Sequence, residues 1–143
     1  MRIAIVVAQF NDFVTSRLRD GALAQLRDAK LDADDVRVFD VPGAFEVPQM
    51  AAKLAAGGQY DGIVCLGCLI RGATPHFDYI ASAVAHGITQ AALDTGVPMS
   101  FGVLTVNSAE EALERAVEGP SNKGREAAQA VIDMARAFGA AAS

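Results

Sequence analysis

Short apolar segments alternate four times with longer amphipathic segments, and this alternation limits the chain to very few folds. Each apolar segment is rich in β-branched residues and too short for a helix, so each is predicted to be a strand. The predicted strands are Ile3 to Ala8, Val36 to Val41, Gly62 to Leu66 and Ser100 to Leu104. Because a helical pattern follows every strand, the strands are expected to be parallel, with helices on both faces. The sequence therefore predicts a three-layer α/β/α sandwich around a four-stranded parallel sheet, of the flavodoxin-like class.

The helical segments are recognised by apolar residues that recur every three to four positions. Ser108 and Glu111 fit a capping box, in which two side chains bind free backbone N–H groups at the start of a helix. That helix is expected to end near Glu118, before a Gly-Pro pair. The other predicted helices are Phe13 to Leu26, Ala44 to Ala56, Phe77 to Thr95 and Asn122 to Phe138. Residues 1–143 are thus expected to form one domain, with residues 139–143 as a frayed tail.

Composition argues against several classes of function. The chain has 12 basic and 17 acidic residues, a net charge of −5, and no basic patch, so nucleic acid is not expected as a partner. No apolar run reaches the roughly 18 residues that a membrane span requires. The chain enters its first strand at once, without the pattern of a signal peptide, so a cytoplasmic protein is expected.

The two cysteines, Cys65 and Cys68, have the spacing of a redox or metal-binding motif. Residues three apart on a strand point to opposite faces of the sheet, so their sulfur atoms are expected to diverge. The sequence also lacks the second pair of ligands that a zinc site would need. We therefore interpret both cysteines as small apolar residues at the end of a buried strand, with Cys68 facing a pocket. No bound metal is expected.

Ligands of parallel α/β sheets bind beyond the carboxyl ends of the strands, which directs attention to the four loops there. The first loop carries Phe10, which either caps the core or stacks on a planar ring. The second, Pro42 to Glu46, ends in a carboxylate that either complements the helix dipole or accepts hydrogen bonds from a heterocycle. Arg115 and Lys123 follow the fourth strand. A lysine at the start of a helix is disfavoured by the dipole, which makes Lys123 a possible ligand contact.

The third loop, Cys68 to His76, is the most informative. Its segment Gly72 to Thr74 lacks bulk and precedes a predicted helix, so free backbone N–H groups can bind a phosphate there. His76 follows directly, and a histidine titrates near neutral pH, whereas His86 is interpreted as a surface or packing residue. Neither a P-loop ending nor a Gly-x-Gly-x-x-Gly pattern is present, so nucleotide binding is not favoured. The loop indicates chemistry on a phosphorylated small molecule.

Seven short segments occur in an order and spacing that resemble one protein family, the 6,7-dimethyl-8-ribityllumazine synthases. They are Val-Val-Ala-Gln-Phe-Asn11, Val-Pro-Gly-Ala-Phe-Glu46, Gly-x-x-Ile-Arg-Gly-Ala-Thr-Pro-His-Phe-Asp-Tyr79, Gly-Val-Pro98, Phe-Gly-Val-Leu-Thr105, Glu-Arg-Ala116 and Asn-Lys-Gly124. The resemblance covers nearly the whole chain. It implies a transferase of riboflavin biosynthesis that condenses 5-amino-6-(D-ribitylamino)uracil with 3,4-dihydroxy-2-butanone 4-phosphate and needs no cofactor or metal.

The resemblance also implies roles for particular residues. Phe10 would stack on the pyrimidine, and His76 would transfer protons. Phe101 would enter the site of a neighbouring subunit, because the family's sites lie between subunits of a pentamer. The phosphate would contact Ala73, Thr74 and Arg115. The residues that would hold the pyrimidine and ribityl chain or line the pocket are Ala44, Phe45, Glu46, Cys68, Leu69 and Ile70.

Two other functions remain open at the level of sequence. A paralogue of the archaeal-type riboflavin synthases would dismutate lumazine and would have no use for a phosphate loop or for Arg115. A non-catalytic assembly that binds flavin or lumazine would not need His76. The early first strand favours a pentamer, or a pair of pentamers, over the large shells that some family members form.

Overall fold

A computed structural model describes residues 1–142 of the chain. Its centre is one four-stranded sheet in which every neighbouring pair is parallel, in the order β2-β1-β3-β4. The strands are β1 (Ile3–Ala8), β2 (Val36–Val41), β3 (Gly62–Ile70) and β4 (Met99–Val106). The helices are α1 (Asp12–Asp28), α2 (Val47–Ala56), α3 (His76–Thr95), α4 (Ala109–Arg115) and α5 (Lys123–Ala142). The predicted fold class is confirmed.

Strand β1 shows how the sequence builds three layers. All six of its residues are buried, because β1 lies inside the sheet and helices cover both faces. Alternate residues belong to different cores: Ile5 packs with α1, α4 and α5, whereas Val6 packs with α2 and α3. The strand is therefore continuously apolar instead of alternating with polar residues.

The strand order places a crevice beyond the carboxyl ends of the two central strands, β1 and β3. The chain passes from β1 to β2 on one side and then returns to form β3 on the other side of β1. The helices that follow β1 and β3 thus cover opposite faces, and the loops beyond these two strands diverge. Ligands of such sheets bind at this switch point.

Several element boundaries differ from the sequence prediction. Strand β3 continues to Ile70, so Cys68, Leu69 and Ile70 lie on a strand and not in the predicted loop. The cause is β4, which also runs further than predicted and pairs with these residues, Cys68 with Leu104 and Ile70 with Val106. A 3-10 turn, Ala44–Glu46, precedes α2.

The last two helices also have revised ends. Helix α4 ends at Arg115 and not near Glu118. Helix α5 continues to Ala142, so residues 139–142 of the predicted frayed tail are helical, and they end in helix-favouring alanines; residue 143 of that tail lies outside the described residues. The predicted cap is present, since the Ser108 Oγ accepts a hydrogen bond from the Glu111 N–H at 3.1 Å. None of the helices in residues 1–142 is long and apolar enough to cross a membrane.

Candidate functional site

A cavity of about 870 Å³ lies at the switch point, beyond the carboxyl ends of β1 and β3. It is lined by four segments: the end of β1, the turn before α2, the end of β3 and the start of α3. The lining residues are Phe10, Asn11, Pro42, Gly43, Ala44, Phe45, Glu46, Cys68, Leu69, Ile70, Gly72, Thr74, His76, Phe77 and Ile80.

Phe10 forms one wall of the cavity and is held by its backbone. Its N–H donates to the Pro42 carbonyl at 3.0 Å, which ties the end of β1 to the turn after β2. Asn11 follows with a φ of 65°, a left-handed conformation, and its side-chain amide donates to the Cys68 carbonyl at 2.9 Å. The Phe10 ring is 71% exposed and is therefore not a cap on the core. A flat ring in this position can stack on a planar ligand.

The turn before α2 supplies the only carboxylate among the lining residues in the described chain, that of Glu46. A Cβ at Gly43 would lie 3.3 Å from a carboxylate oxygen of Glu46 and 4.0 Å from the Phe10 Cβ. Glycine therefore lets the backbone approach the Glu46 carboxylate closely. Phe45, 60% exposed, adds a second aromatic surface, and Ala44 is buried.

The loop after β3 offers free hydrogen-bond donors. Gly72, Ala73 and Thr74 are exposed, and within the described residues their backbone N–H groups donate to no acceptor. These groups lie just before the positive end of the α3 dipole, where an anion is stabilised. Thr74 lines the cavity, whereas Ala73 belongs to the same loop without lining it. His76, the first residue of α3, is exposed and faces the cavity beside them.

The cysteines have no redox role in this arrangement. Cys65 packs in the core beneath α2 and α3, and Cys68 in the core beneath α1 and α5, so they point to opposite faces as predicted. Burial raises the pKa of the Cys65 thiol to about 12 and that of Cys68 to about 11. Both thiols are therefore protonated at neutral pH, and a thiol is a poor nucleophile compared with a thiolate. Cys68 lines the cavity as a small apolar group.

Besides Ala73, three predicted site residues lie outside this cavity. Phe101, 47% exposed, and Lys123 line a separate groove along the free edge of β4. Helix α4, which carries Arg115, packs through Ala112 and Ala116 against the face covered by α1 and α5. The Arg115 guanidinium donates to the Glu111 carbonyl of its own helix at 3.0 Å. Within one chain, the structure does not bring these three residues to His76.

Comparison with known proteins agrees with the motifs. Residues 1–138 match the sequence profile of a family described as 6,7-dimethyl-8-ribityllumazine synthase. A 6,7-dimethyl-8-ribityllumazine synthase from Syntrophus aciditrophicus (strain SB) is 50% identical to this chain over 134 residues. The matched region covers 94% of this chain and 87% of that relative. The chain belongs to the 6,7-dimethyl-8-ribityllumazine synthase family.

Six residues of this lumazine synthase family member line the cavity in addition to those for which the sequence predicted an individual role. They are Asn11, Pro42, Gly43, Gly72, Phe77 and Ile80. A local signal existed for the proline and the glycines, which lie in predicted strand-end loops. Asn11 also lies in the first predicted strand-end loop, but its contact with the Cys68 carbonyl, 57 residues away in the sequence, had no local signal.

The cavity combines few chemical groups. Its ionisable side chains, among the described residues, are Glu46, His76 and the buried thiol of Cys68. No group of three or more His, Cys, Asp or Glu side chains within residues 1–142 is arranged to hold a metal ion. No lysine or arginine of the described chain lines the cavity. The site can therefore stack a ring, accept hydrogen bonds, bind an anion through amides and move a proton.

Proposed function

We propose that this chain catalyses the condensation of 5-amino-6-(D-ribitylamino)uracil with 3,4-dihydroxy-2-butanone 4-phosphate. The products are 6,7-dimethyl-8-ribityllumazine, phosphate and water, in the penultimate step of riboflavin biosynthesis. One observation carries the proposal beyond family membership: a single cavity joins an exposed aromatic ring, one carboxylate, a loop of free amides and a histidine. Each of these groups matches one part of the two substrates.

The pyrimidine is assigned to the side of the cavity formed by β1 and the turn before α2. Phe10 stacks on the ring, and the Glu46 carboxylate accepts hydrogen bonds from its N–H groups or from the ribityl hydroxyls. Ala44 and Phe45 contribute backbone and aromatic contacts. Cys68, Leu69 and Ile70 form the apolar floor, which excludes water from the reacting atoms.

The phosphate is assigned to the other side of the cavity. The free amides of Ala73 and Thr74 would bind its oxygens at the start of α3. A cationic partner would strengthen phosphate binding, and no lysine or arginine of the described chain lines the cavity. Arg115 is the residue that we assign to this role, from a second copy of the chain.

His76 is the proposed proton-transfer residue. The 5-amino group of the pyrimidine attacks the ketone, and an imine forms with loss of one water. Phosphate is then eliminated, and the resulting enol tautomerises to a carbonyl. The ribitylamino nitrogen attacks that carbonyl and closes the ring with loss of a second water. Every step moves a proton, and a histidine beside both substrates serves each of them. Holding the two reactants in one cavity supplies a large part of the acceleration.

The predicted site residues that lie outside the cavity support an assembly of several copies of the chain. We propose that Phe101, Arg115 and Lys123 complete the site of an adjacent copy, and that the assembly is a homopentamer. The support is the exposed edge of β4, which presents Phe101 beside the groove that Lys123 lines. Since both thiols are unpaired and diverge, the reducing cytoplasm suits the chain.

The test is direct. The purified protein is incubated with both substrates, and the absorbance of the lumazine and the release of phosphate are followed together, with each substrate omitted in turn as a control. Equal amounts of lumazine and phosphate, formed faster than without protein, are expected. Lumazine formation no faster than the uncatalysed reaction would refute the proposal and favour a binding assembly. Dismutation of added lumazine to riboflavin would instead indicate a riboflavin synthase.

A further inference from the structure

Residues 72–75, between β3 and α3, form the proposed phosphate loop. Arg71 connects three segments around this loop, although it does not line the cavity. Its Nη1 lies 3.3 Å from the Asp78 Oδ1 in the first turn of α3. Its Nε donates to the Asn107 Oδ1, 3.2 Å away, in the turn between β4 and α4. Its Cζ lies 4.4 Å from the centroid of the Phe77 ring. One guanidinium therefore joins the end of β3, the start of α3 and the end of β4.

The loop between Arg71 and His76 has little else to fix it. Residues 72–75 are exposed, and the amides of Gly72 to Thr74 have no acceptor within the described residues. The loop is consequently held at its two ends. One end is Arg71, whose N–H donates to the Val106 carbonyl at 2.8 Å, and the other is the first turn of α3. The Arg71 side chain links these two ends to each other.

We propose that Arg71 is a positioning residue. Through Phe77, Asp78 and Asn107 it holds the phosphate loop in a fixed position relative to His76. This inference rests on the proposed function. Each contact alone is exposed and weak, but three contacts on one planar group restrict its orientation more than any of them separately. Lysine cannot replace Arg71. Its ammonium group has neither the planar set of N–H donors that contacts Asp78 and Asn107 nor the flat face that lies over the Phe77 ring.

Steady-state kinetics of Arg71→Ala and Arg71→Lys test the role, with Arg37→Ala as the matched control. Arg37 also stacks on a phenylalanine, with its Cζ 5.0 Å from the Phe39 ring centroid, but it lies on β2 outside the cavity. We expect kcat/KM for the butanone phosphate to fall about tenfold in both Arg71 variants. The KM for the pyrimidine and the thermal unfolding midpoint are expected to stay unchanged, and Arg37→Ala to behave like the wild type.

A double-mutant cycle with Asp78→Asn identifies the partner. Asp78→Asn should lower kcat/KM in the wild-type background and have little further effect in Arg71→Ala. Additive losses would overturn the proposal, as would full activity in Arg71→Lys or an equal rise of both KM values together with a lower unfolding midpoint.

A measurement that does not depend on catalysis separates this inference from the proposed function. The N–H groups of Asp78 and Tyr79 donate to the Pro75 carbonyl, at 3.0 and 3.3 Å, and report on the first turn of α3. Hydrogen exchange at these amides should accelerate in Arg71→Ala and not in Arg37→Ala. A wild-type protein that makes no lumazine refutes the proposed function alone. Unchanged exchange in Arg71→Ala refutes the positioning role alone.

Discussion

His76 and His86 both lie on α3 and both are exposed, yet only His76 lines the cavity. Its position at the first residue of the helix places the imidazole beside the free amides of the phosphate loop. His86 lies further along the same helix. The two residues therefore form a matched pair in which residue type and helix are the same and only the surroundings differ.

This pair gives the first prediction. His76→Ala should lower kcat by about 10² to 10⁴-fold, because proton transfer by a positioned side chain contributes that much. The unfolding midpoint should not change, since an exposed side chain is removed. His86→Ala should retain wild-type kcat. Equal kcat values for the two variants would remove His76 from its assigned role.

The buried thiols give a second prediction, on pH. Burial raises the pKa of Cys65 to about 12, so the folded state keeps a proton that the unfolded state loses above about pH 8.5. The unfolded state then binds fewer protons, and the free energy of unfolding falls as the pH rises towards 12. Urea unfolding from pH 8 to 10.5 should show a shallower decline for Cys65→Ala than for the wild type. Parallel declines would mean that Cys65 is not protected from ionisation.

At the scale of elements, the connection between α4 and α5 depends on Asn122, a polar residue that is 1% exposed. Its side-chain amide donates to the carbonyls of Ala116, at 3.0 Å, and Arg17, at 3.3 Å. Its Oδ1 accepts from the N–H groups of Gly124 and Arg125, at 2.8 and 3.1 Å. The same side chain therefore satisfies a carbonyl at the end of α4 and free N–H groups at the start of α5.

Asn122→Ala is predicted to lower the free energy of unfolding by about 2 to 3 kcal/mol, since it removes a helix cap and leaves buried carbonyls without partners. Urea unfolding measures the change. Gln90→Ala is the control, because Gln90 makes an exposed hydrogen bond to Asp94 of the same helix. A loss for Asn122→Ala no larger than that for Gln90→Ala would contradict the bridging role.

The sequence predicted elements well where the signal is local. Strands β1 and β2 have the predicted ends, because Gln-Phe-Asn and Pro-Gly interrupt the apolar pattern directly after them. Strand β3 was predicted to end at Leu66, and its last residues pair with β4, a partner that the local pattern does not contain. Helix α4 ends at Arg115, where the Ala116 N–H donates to the Leu113 carbonyl in a tighter turn, three residues before the predicted end. The error at β3 has one cause, which is contact between distant parts of the chain.

At the scale of the whole molecule, the same limit applies to the site. The aromatic, carboxylate, amide and histidine groups follow strands β1, β2 and β3, whose carboxyl ends meet at one edge of the sheet, so the sequence could predict them together. Arg115 follows β4, but α4 packs on the face covered by α1 and α5. Arg115 therefore does not line the cavity that contains His76 in its own chain, and under the proposed function a second copy brings the two residues together.

Mixing inactive variants tests this arrangement. His76→Ala and Arg115→Ala are each expected to be inactive or nearly so, because one lacks the proton-transfer group and the other the phosphate partner. If the residues of one site come from adjacent copies, random co-assembly by co-expression restores both groups in about a quarter of the sites of an equal mixture. Lumazine formation by the purified mixture, compared with each variant alone, should recover accordingly.

The control mixture is His76→Ala with Phe10→Ala, two residues that line the same cavity of one chain. No site of that mixture can contain both intact residues, so its activity should equal the mean of the two single variants. Recovery in the first mixture and not in the second requires Arg115 and His76 to act from different copies. Equal behaviour of the two mixtures would instead mean that Arg115 reaches the cavity of its own chain, or does not serve the site at all.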